Sequence, residues 1–268
     1  MRHTTLLVLA LLVFSACDMV QVYQGEIEEA SRGLEVAKTD AERATLYAER
    51  GRAYSNKARL ALVRHQIDRN EYLRLFALAV EDTDRAVALA PDDAQVHFKR
   101  GLSNYDRAAQ VEDLVETDHT QWFDAARSDF ATAAQKDPSF AAAHDYLGVV
   151  DEQTERIDDA VVAYTKVMAL DARLGKMRLT DLYCNRGQAH LGAKDLELAA
   201  EDFEKSIAFN GPTDGCSCEP YNPLAYIYID ATGQYEKGWD LVRKAQSAGH
   251  PIAREYVERL ERASRRPA

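Results

Sequence analysis

Two stretches of the chain carry the same set of small and aromatic residues at the same intervals. In both, a glycine is followed by an alanine, an aromatic ring and a further residue at gaps of 12, 4 and 3: Gly148, Ala160, Tyr164 and Val167, then Gly187, Ala199, Phe203 and Ser206. Small residues at this spacing suit a helical hairpin, because two antiparallel helices cross closely only where their backbones can approach. A hairpin leaves one apolar face uncovered, so neighbouring hairpins stack. The pattern therefore predicts an all-α chain of stacked hairpins.

Two earlier copies of the pattern are longer. The interval from Gly51 to its alanine, Ala79, and the interval from Gly101 to Ala126 are each more than twice the interval in the regular copies. The surplus corresponds to about two additional turns in each helix of these hairpins. We therefore expect the first two hairpins to be elongated.

The additional residues lie within 57–76 and 110–121, which contain no Gly or Pro and have apolar residues at helical spacing. They are expected to lengthen helices rather than to form loops. New helices are predicted to start near Asp68 and Asp118, where the residues match a capping box.

A fifth, degenerate hairpin follows Pro223. Gly238 stands where the pattern has alanine, but Tyr226 stands at the preceding position where a small residue is expected. That puts the close crossing of this hairpin in question. From Pro251 onward, Ile252, Tyr256 and Leu260 share one stripe of a last helix, which is predicted to cap the open end of the array.

These anchors resemble the tetratricopeptide repeat (TPR), a helical hairpin of 34 residues. The resemblance covers roughly 44–248 and implies a right-handed α-solenoid of four to five hairpins, closed by a capping helix and tail at 249–268. Because TPR arrays bind other proteins more often than they catalyse, the resemblance also implies an adaptor or scaffold.

The amino terminus has the form of an export signal. Arg2 precedes an apolar run, 6–14, which is about half the ~20 residues that span a bilayer, and Ser15-Ala16-Cys17 follows. This end resembles the lipobox of bacterial lipoproteins, in which the Cys is acylated and becomes the first mature residue; Phe14 departs from the usual Leu. The alternative is a secretory signal that is cut elsewhere.

The lipobox resemblance implies a signal peptide at 1–17, lipidation of Cys17, and a tether and first helix at 18–43, with the tether through 21–29. It also implies an exported protein anchored to the bacterial cell membrane or outer membrane and facing the periplasm. Two or more acyl chains would make that anchor stable.

The composition limits the classes of partner that the chain can bind. The net charge is −11, and acidic residues occur in every hairpin, which argues against a nucleic-acid surface because such a surface needs a basic stripe. No further membrane-spanning candidate follows the signal. The expected partners are envelope proteins or peptides, and a second copy of the chain is possible.

Cys184, Cys216 and Cys218 remain beyond the signal. In an oxidising compartment a disulfide is expected between two of them, either from Cys184 to one of the pair or between Cys216 and Cys218. A redox-active or metal site is the alternative, because a C-x-C pair can bind a soft metal.

No nucleophile elbow, phosphate-binding loop or zinc-protease helix occurs, so we predict neither an enzyme nor a cofactor. His97 and His144 occupy equivalent positions in adjacent hairpins. They could share a metal ion, but ordinary packing is the simpler interpretation, and no metal site is predicted.

The TPR resemblance also implies which residues line the inner groove. These candidates come from the first helices of four hairpins: Arg52, Phe98, Leu102, Tyr105, Asp145, Val149, Glu152, Cys184, Gln188 and Leu191. Aromatic and aliphatic groups among a few charges suit an extended peptide or a partner helix. Phe98 and Tyr105 either contact a client or pack against the lengthened helices.

The sequence thus predicts a membrane-tethered TPR adaptor that binds other envelope proteins. One alternative is a thiol- or metal-dependent enzyme around Cys184, Cys216 and Cys218. The other is a self-associating structural lipoprotein.

Overall fold

The computed structural model describes residues 2–110, 119–209 and 218–264, with side chains from residue 19 onward. All regular secondary structure in these ranges is helical. The helices are α1 (Arg2–Val36), α2 (Asp40–Val63), α3 (Arg69–Leu89), α4 (Ala94–Gln110), α5 (Thr120–Lys136), α6 (Ala141–Gln153), α7 (Ile157–Leu170), α8 (Ala172–Ala193), α9 (Leu196–Phe209), α10 (Tyr221–Ala225), a π-helix (Tyr226–Ala231), α11 (Tyr235–Ser247) and α12 (Arg254–Ser264). The predicted all-α fold is confirmed.

The chain forms two compact units, Met1–Ala160 and Val161–Ala268. In the first unit, α2 pairs with α3 and α4 pairs with α5. In the second unit, α8 pairs with α9, and α10 with the π-helix packs against α11. The boundary between the two units lies within α7.

Glycine is required where the two helices of a hairpin cross. A Cβ atom on Gly51 would lie 2.7 Å from Cγ2 of Thr83. At Gly101 it would lie 2.7 Å from the Phe130 ring. These distances are shorter than any normal carbon contact, so the close crossing depends on the missing side chain.

The first hairpin is elongated as expected. Its helices have 24 and 21 residues, and α3 begins directly after Asp68, whose side chain accepts a hydrogen bond from the Glu71 amide at 2.8 Å. In the second hairpin, α5 begins at Thr120 with His119 as its N-cap and no side-chain cap. Asp118, the predicted cap, lies outside the described residues.

The tether predicted at 21–29 is wrong, because this stretch belongs to α1. Ile27 and Ala30 are 6% and 5% exposed and lie on the side of α1 that packs against α2. The Lys57 ammonium group donates to Oε1 of Gln24 at 2.7 Å. Apolar residues at helical spacing therefore continue the packed array to the amino-terminal side of α2.

In the fifth hairpin the buried small residue lies one position before the predicted one. Tyr226 begins the π-helix and is 42% exposed, whereas Ala225 before it is fully buried. A π-turn contains one more residue than an α-turn. The interval from Ala225 to Gly238 exceeds the regular interval by one residue, and the π-helix holds that residue. We therefore assign the small-residue position of this hairpin to Ala225 instead of Tyr226.

The predicted capping helix is confirmed as α12. Leu260 is fully buried and lies against Gly238, where a Cβ atom would come within 2.9 Å of its side chain. Ile252 and Tyr256 pack on the same core cluster. Within the described part of the chain, we find no helix with the length and hydropathy needed to cross a membrane.

Candidate protein-docking site

One ion pair recurs inside three hairpins and was not anticipated. An arginine directly before the crossing glycine bonds an aspartate three residues after the crossing alanine: Arg50–Asp82, Arg100–Asp129 and Arg186–Asp202. The aspartate side chains are 4–5% exposed. The sequence contains this pair as an Arg and an Asp at the same two positions of each of the three copies. At these positions the third copy has the apolar residues Leu147 and Ala163.

The first helices of successive hairpins in the first unit are linked directly. We call their shared surface, on α2, α4 and α6, the docking face. Its linking contacts are Glu49 with Lys99, Arg52 with Asp106, the hydroxyls of Ser55 and Ser103 at 3.0 Å, and the Tyr105 hydroxyl with the Gln153 amide at 3.2 Å. These contacts hold the three helices side by side and give the face a defined set of charged positions.

The predicted groove residues differ in how accessible they are. Arg52 lies on the docking face but is engaged by Asp106. Leu102, Val149 and Glu152 are half-buried. Asp145 was expected to line the groove but is only 7% exposed, so this prediction is wrong. Its position belongs to the buried side of α6.

In the second unit, Gln188 is exposed and Leu191 is half-buried against the core cluster. Cys184 was also placed in the groove, but it is fully buried in that cluster. The placement of Cys184 is therefore wrong.

Phe98 lies in an aromatic cluster. Its ring centroid is 5.6 Å from that of Phe130, 4.7 Å from that of Phe140 and 5.7 Å from that of Tyr146. Such ring pairs stabilise a core beyond the area that they bury. The geometry thus favours packing over client contact for Phe98.

Tyr105 lies at the edge of the same cluster. Its ring is 6.2 Å from that of Phe123, at the beginning of the elongated α5, and 5.8 Å from that of Tyr146. Its hydroxyl accepts from the exposed Gln153. Tyr105 therefore combines packing on the ring with a polar group at the rim of the docking face.

A cleft extends the docking face towards α1. It has a volume of about 430 Å³ and is lined by α1 and α2, with the carboxylates of Glu26, Glu29 and Glu49 and the guanidinium of Arg52 at its wall. Since Arg52 is paired with Asp106, the cleft is acidic. It was missed because 21–29 had been interpreted as a tether.

Cys184 and Cys218 form a disulfide with a Cα–Cα distance of 5.9 Å. This is one of the pairings that the sequence allowed, and Cys216 lies outside the described residues. The bond connects α8 to the segment before α10, and it lies against Ala199, Phe203 and Leu224. The disulfide therefore ties the start of the fifth hairpin to α8.

The two histidines each contact a carbonyl of the turn that precedes their own helix. Nε2 of His97 lies 2.9 Å from the Pro91 carbonyl oxygen, and Nε2 of His144 lies 3.2 Å from that of Pro138. No group of potential metal ligands occurs among the described residues. These contacts favour the packing interpretation, in which each His fixes the turn before its helix.

Asp151 connects α6 to α5 through an ion pair with Arg127. The side chain of Asp151 is 1% exposed. Burial raises the pKa of this carboxyl above its ordinary value, although Arg127 acts in the opposite direction. The carboxylate therefore has a net cost when it is charged in the folded protein.

Comparison with solved structures places the chain among TPR-type folds. The S. pombe nuclear import adaptor Nro1 aligns with a TM-score of 0.60 and 14% identity over 91% of each chain. MamA aligns with a TM-score of 0.41 and 16% identity over 75% of this chain and 99% of that chain. YrrB, a TPR protein with a peptide-binding site, aligns with a TM-score of 0.41 and 15% identity over 73% of this chain and 84% of its own.

No family model and no curated protein matches the chain. The similarity to Nro1, together with the hairpin crossings, shows that the fold is of TPR type. At this level of identity the similarity concerns the fold alone.

Proposed function

We propose that this chain is an adaptor that holds proteins of a bacterial cell envelope close to a membrane, anchored by a lipid on Cys17. The observation that carries the adaptor role is the docking face, where α2, α4 and α6 are linked to one another by their own side chains. Half-buried Val149 and exposed Gln153 lie on this face. Nro1, which has a similar fold, is itself an adaptor.

A photoreactive residue at position 149 tests the adaptor role. In native membranes we expect it to crosslink to a discrete set of proteins. The same residue at Val162, which is 62% exposed on α7, is the control. The docking-face assignment is contradicted when both positions capture the same proteins in the same yield.

The anchor rests on the short apolar segment that ends at Ser15-Ala16-Cys17. Cys17→Ser is expected to leave the signal uncut or to release the protein from membranes, and Cys216→Ser is the matched control. Mass spectrometry of the mature amino terminus and membrane fractionation are the measurements. A Cys17→Ser chain that is processed and partitions like the parent would remove the lipoprotein proposal.

The other functions considered have less support. A thiol enzyme needs an accessible thiolate, whereas Cys184 is fully buried and bonded to Cys218. Self-association is tested by size-exclusion chromatography of the purified chain over a range of concentrations.

A further inference from the structure

A half-buried arginine lies at the turn end of the second hairpin. Arg107 is in the last turn of α4, and Trp122 is in the first turn of α5. The guanidinium carbon of Arg107 is 3.6 Å from the centroid of the Trp122 ring. A cation–π interaction therefore holds the guanidinium on the ring face.

Arg107 lacks the carboxylate partner that a comparable arginine has. Arg127, which is half-buried in the same hairpin, is paired with Asp151, and this hydrogen bond raises the pKa of Arg127. Burial lowers the pKa of Arg107 instead. Among the residues that the structure describes, the Arg107 guanidinium has no ion pair and no hydrogen-bond acceptor. The Trp122 ring attracts the charge but offers no lone pair, so the N–H groups are left unsatisfied.

A second unsatisfied donor lies near Arg107. Tyr72, in the first turn of α3, is fully buried, and its hydroxyl has no hydrogen-bond partner in the described part of the chain. α3 packs against α4. Burial and the charge of Asp106 raise the pKa of Tyr72, whereas Arg107 acts in the opposite direction, so both charged groups lie near the hydroxyl. The hydroxyl therefore keeps its proton and can donate it.

Asp106 does not supply the missing acceptor, because its carboxylate is bonded to Arg52 of α2. A buried polar group without a partner costs free energy, and most such groups in proteins are satisfied. Arg107 and Tyr72 are both donors, and one of them is a cation. The group that satisfies both must therefore accept hydrogen bonds and carry a negative charge.

We propose that Arg107 and Tyr72 bind an oxyanion, a carboxylate or a phosphate group, at the turn ends of the first two hairpins. The guanidinium binds two oxygens of the group, because its planar fork matches carboxylate and phosphate alike. The Tyr72 hydroxyl donates to one of these oxygens, and Trp122 holds the guanidinium in place. This site goes beyond the proposed adaptor function and does not depend on membrane attachment.

The fluorescence of Trp122 reports on the site. The chain has two tryptophans, so Trp239→Phe leaves Trp122 as the single one. The full-length Trp239→Phe chain in detergent is titrated with sodium phosphate and, separately, with sodium acetate, and sodium chloride at the same ionic strength is the reference. We expect a saturable change with at least one of the two oxyanions and none with chloride. The oxyanion that binds more tightly shows whether the natural ligand offers a phosphate group or a carboxylate.

Two substitutions in this background test the two donors. Arg107→Met should weaken oxyanion binding by about 10-fold or more, because charge-assisted hydrogen bonds are lost. Tyr72→Phe keeps the ring in the core and should weaken binding by about 5-fold, the effect of one ordinary hydrogen bond. Without phosphate or acetate, Tyr72→Phe should melt no lower than the parent, because the hydroxyl that it removes has no partner. The matched control is Arg59→Met, at an exposed arginine of α2, which should bind as the parent does.

Circular dichroism checks that every variant is folded. Arg107→Lys keeps the charge but loses the planar fork, so it replaces Arg107→Met if that variant unfolds, and it too should bind more weakly than the parent. The inference is overturned if neither oxyanion gives saturation, if chloride gives the same change, or if the Arg107 variants bind like Arg59→Met. Binding by Tyr72→Phe that equals the parent's would overturn the role of Tyr72. The outcomes of the Cys17 and position 149 experiments would leave these results unchanged.

Discussion

Arg186 binds the buried carboxylate of Asp202 through two hydrogen bonds inside the fourth hairpin. Nε to Oδ2 and Nη2 to Oδ1 are both 2.7 Å, and the Asp202 side chain is 4% exposed. A carboxylate in this position depends on the guanidinium, because its water shell has been removed. The pair therefore stabilises the hairpin only while both partners are present.

Arg186→Ala should lower the free energy of unfolding by about 3 kcal/mol, since it leaves an unpaired buried charge. The double variant Arg186→Leu with Asp202→Ala reproduces the residues of the third copy, Leu147 and Ala163. It should recover more than half of the loss. Urea unfolding followed by circular dichroism measures both, and a double variant no more stable than the single one would contradict this account.

Two glycines of α8 provide a matched test of the helix crossing. A Cβ atom on Gly187 would lie 2.8 Å from the Phe203 ring, whereas one on Gly192 would meet no atom within 4 Å. Gly187→Ala should therefore destabilise the chain by about 1–3 kcal/mol. Gly192→Ala should stabilise it by up to about 1 kcal/mol, because alanine favours the helix. If both substitutions change the melting temperature in the same direction, the close crossing at Gly187 would be refuted.

The disulfide between Cys184 and Cys218 is expected in the purified chain. Cys184 and Cys218 are 34 residues apart, so breaking the bond by Cys184→Ala should cost about 3–4 kcal/mol. Cys216→Ser should change little. Thiol counting on denatured, unreduced protein should detect one free thiol among Cys184, Cys216 and Cys218, and three free thiols would show that no disulfide forms.

Asp151 should give the stability a specific pH dependence. The pKa of Asp151 is higher in the folded chain than in the unfolded chain, so the folded chain binds this proton first as the pH falls. The free energy of unfolding therefore rises as the pH falls from neutrality towards the ordinary carboxyl range. Asp151→Asn should abolish that gain. Urea unfolding at several pH values should show that the free energy of unfolding of the parent rises relative to that of Asp151→Asn as the pH falls. A difference between the two that does not change with pH would contradict this prediction.

Deleting Tyr226 should convert the π-helix into a continuous α-helix. The deletion restores the regular interval between Ala225 and Gly238. We expect a folded chain with unchanged helix content and a melting temperature no lower than that of the parent. Deleting the buried Ile227 instead would remove a core side chain and should destabilise the chain. Equal losses for both deletions would show that the crossing does not use Ala225.

The hairpins were predictable because a close helix crossing accepts only small residues, and Gly51, Gly101 and Gly187 mark it. The start of α3 was predictable because the first amides of a helix need an acceptor, and the Asp68 side chain supplies one. These are local requirements, and a single sequence displays them.

The remaining features depend on contacts that spacing does not reveal. Ile27 and Ala30 were missed because the residues before them resemble an export signal, which suggested a tether. Cys184 was placed in the groove by analogy, but its bond to Cys218 lies in the core. The one-residue shift at Ala225 was not readable, because an inserted residue inside a helix leaves no Gly or Pro.

The continuity of α1 has a mechanical consequence. The helix runs without interruption from Arg2 to Val36 and is already packed on α2 at Ile27. If Cys17 holds a lipid, only about 15 Å of helix separates it from that packed residue. The link to the membrane would then be a short helix rather than a flexible linker. The angle at which α1 leaves the lipid would therefore set the height and tilt of the docking face above the bilayer.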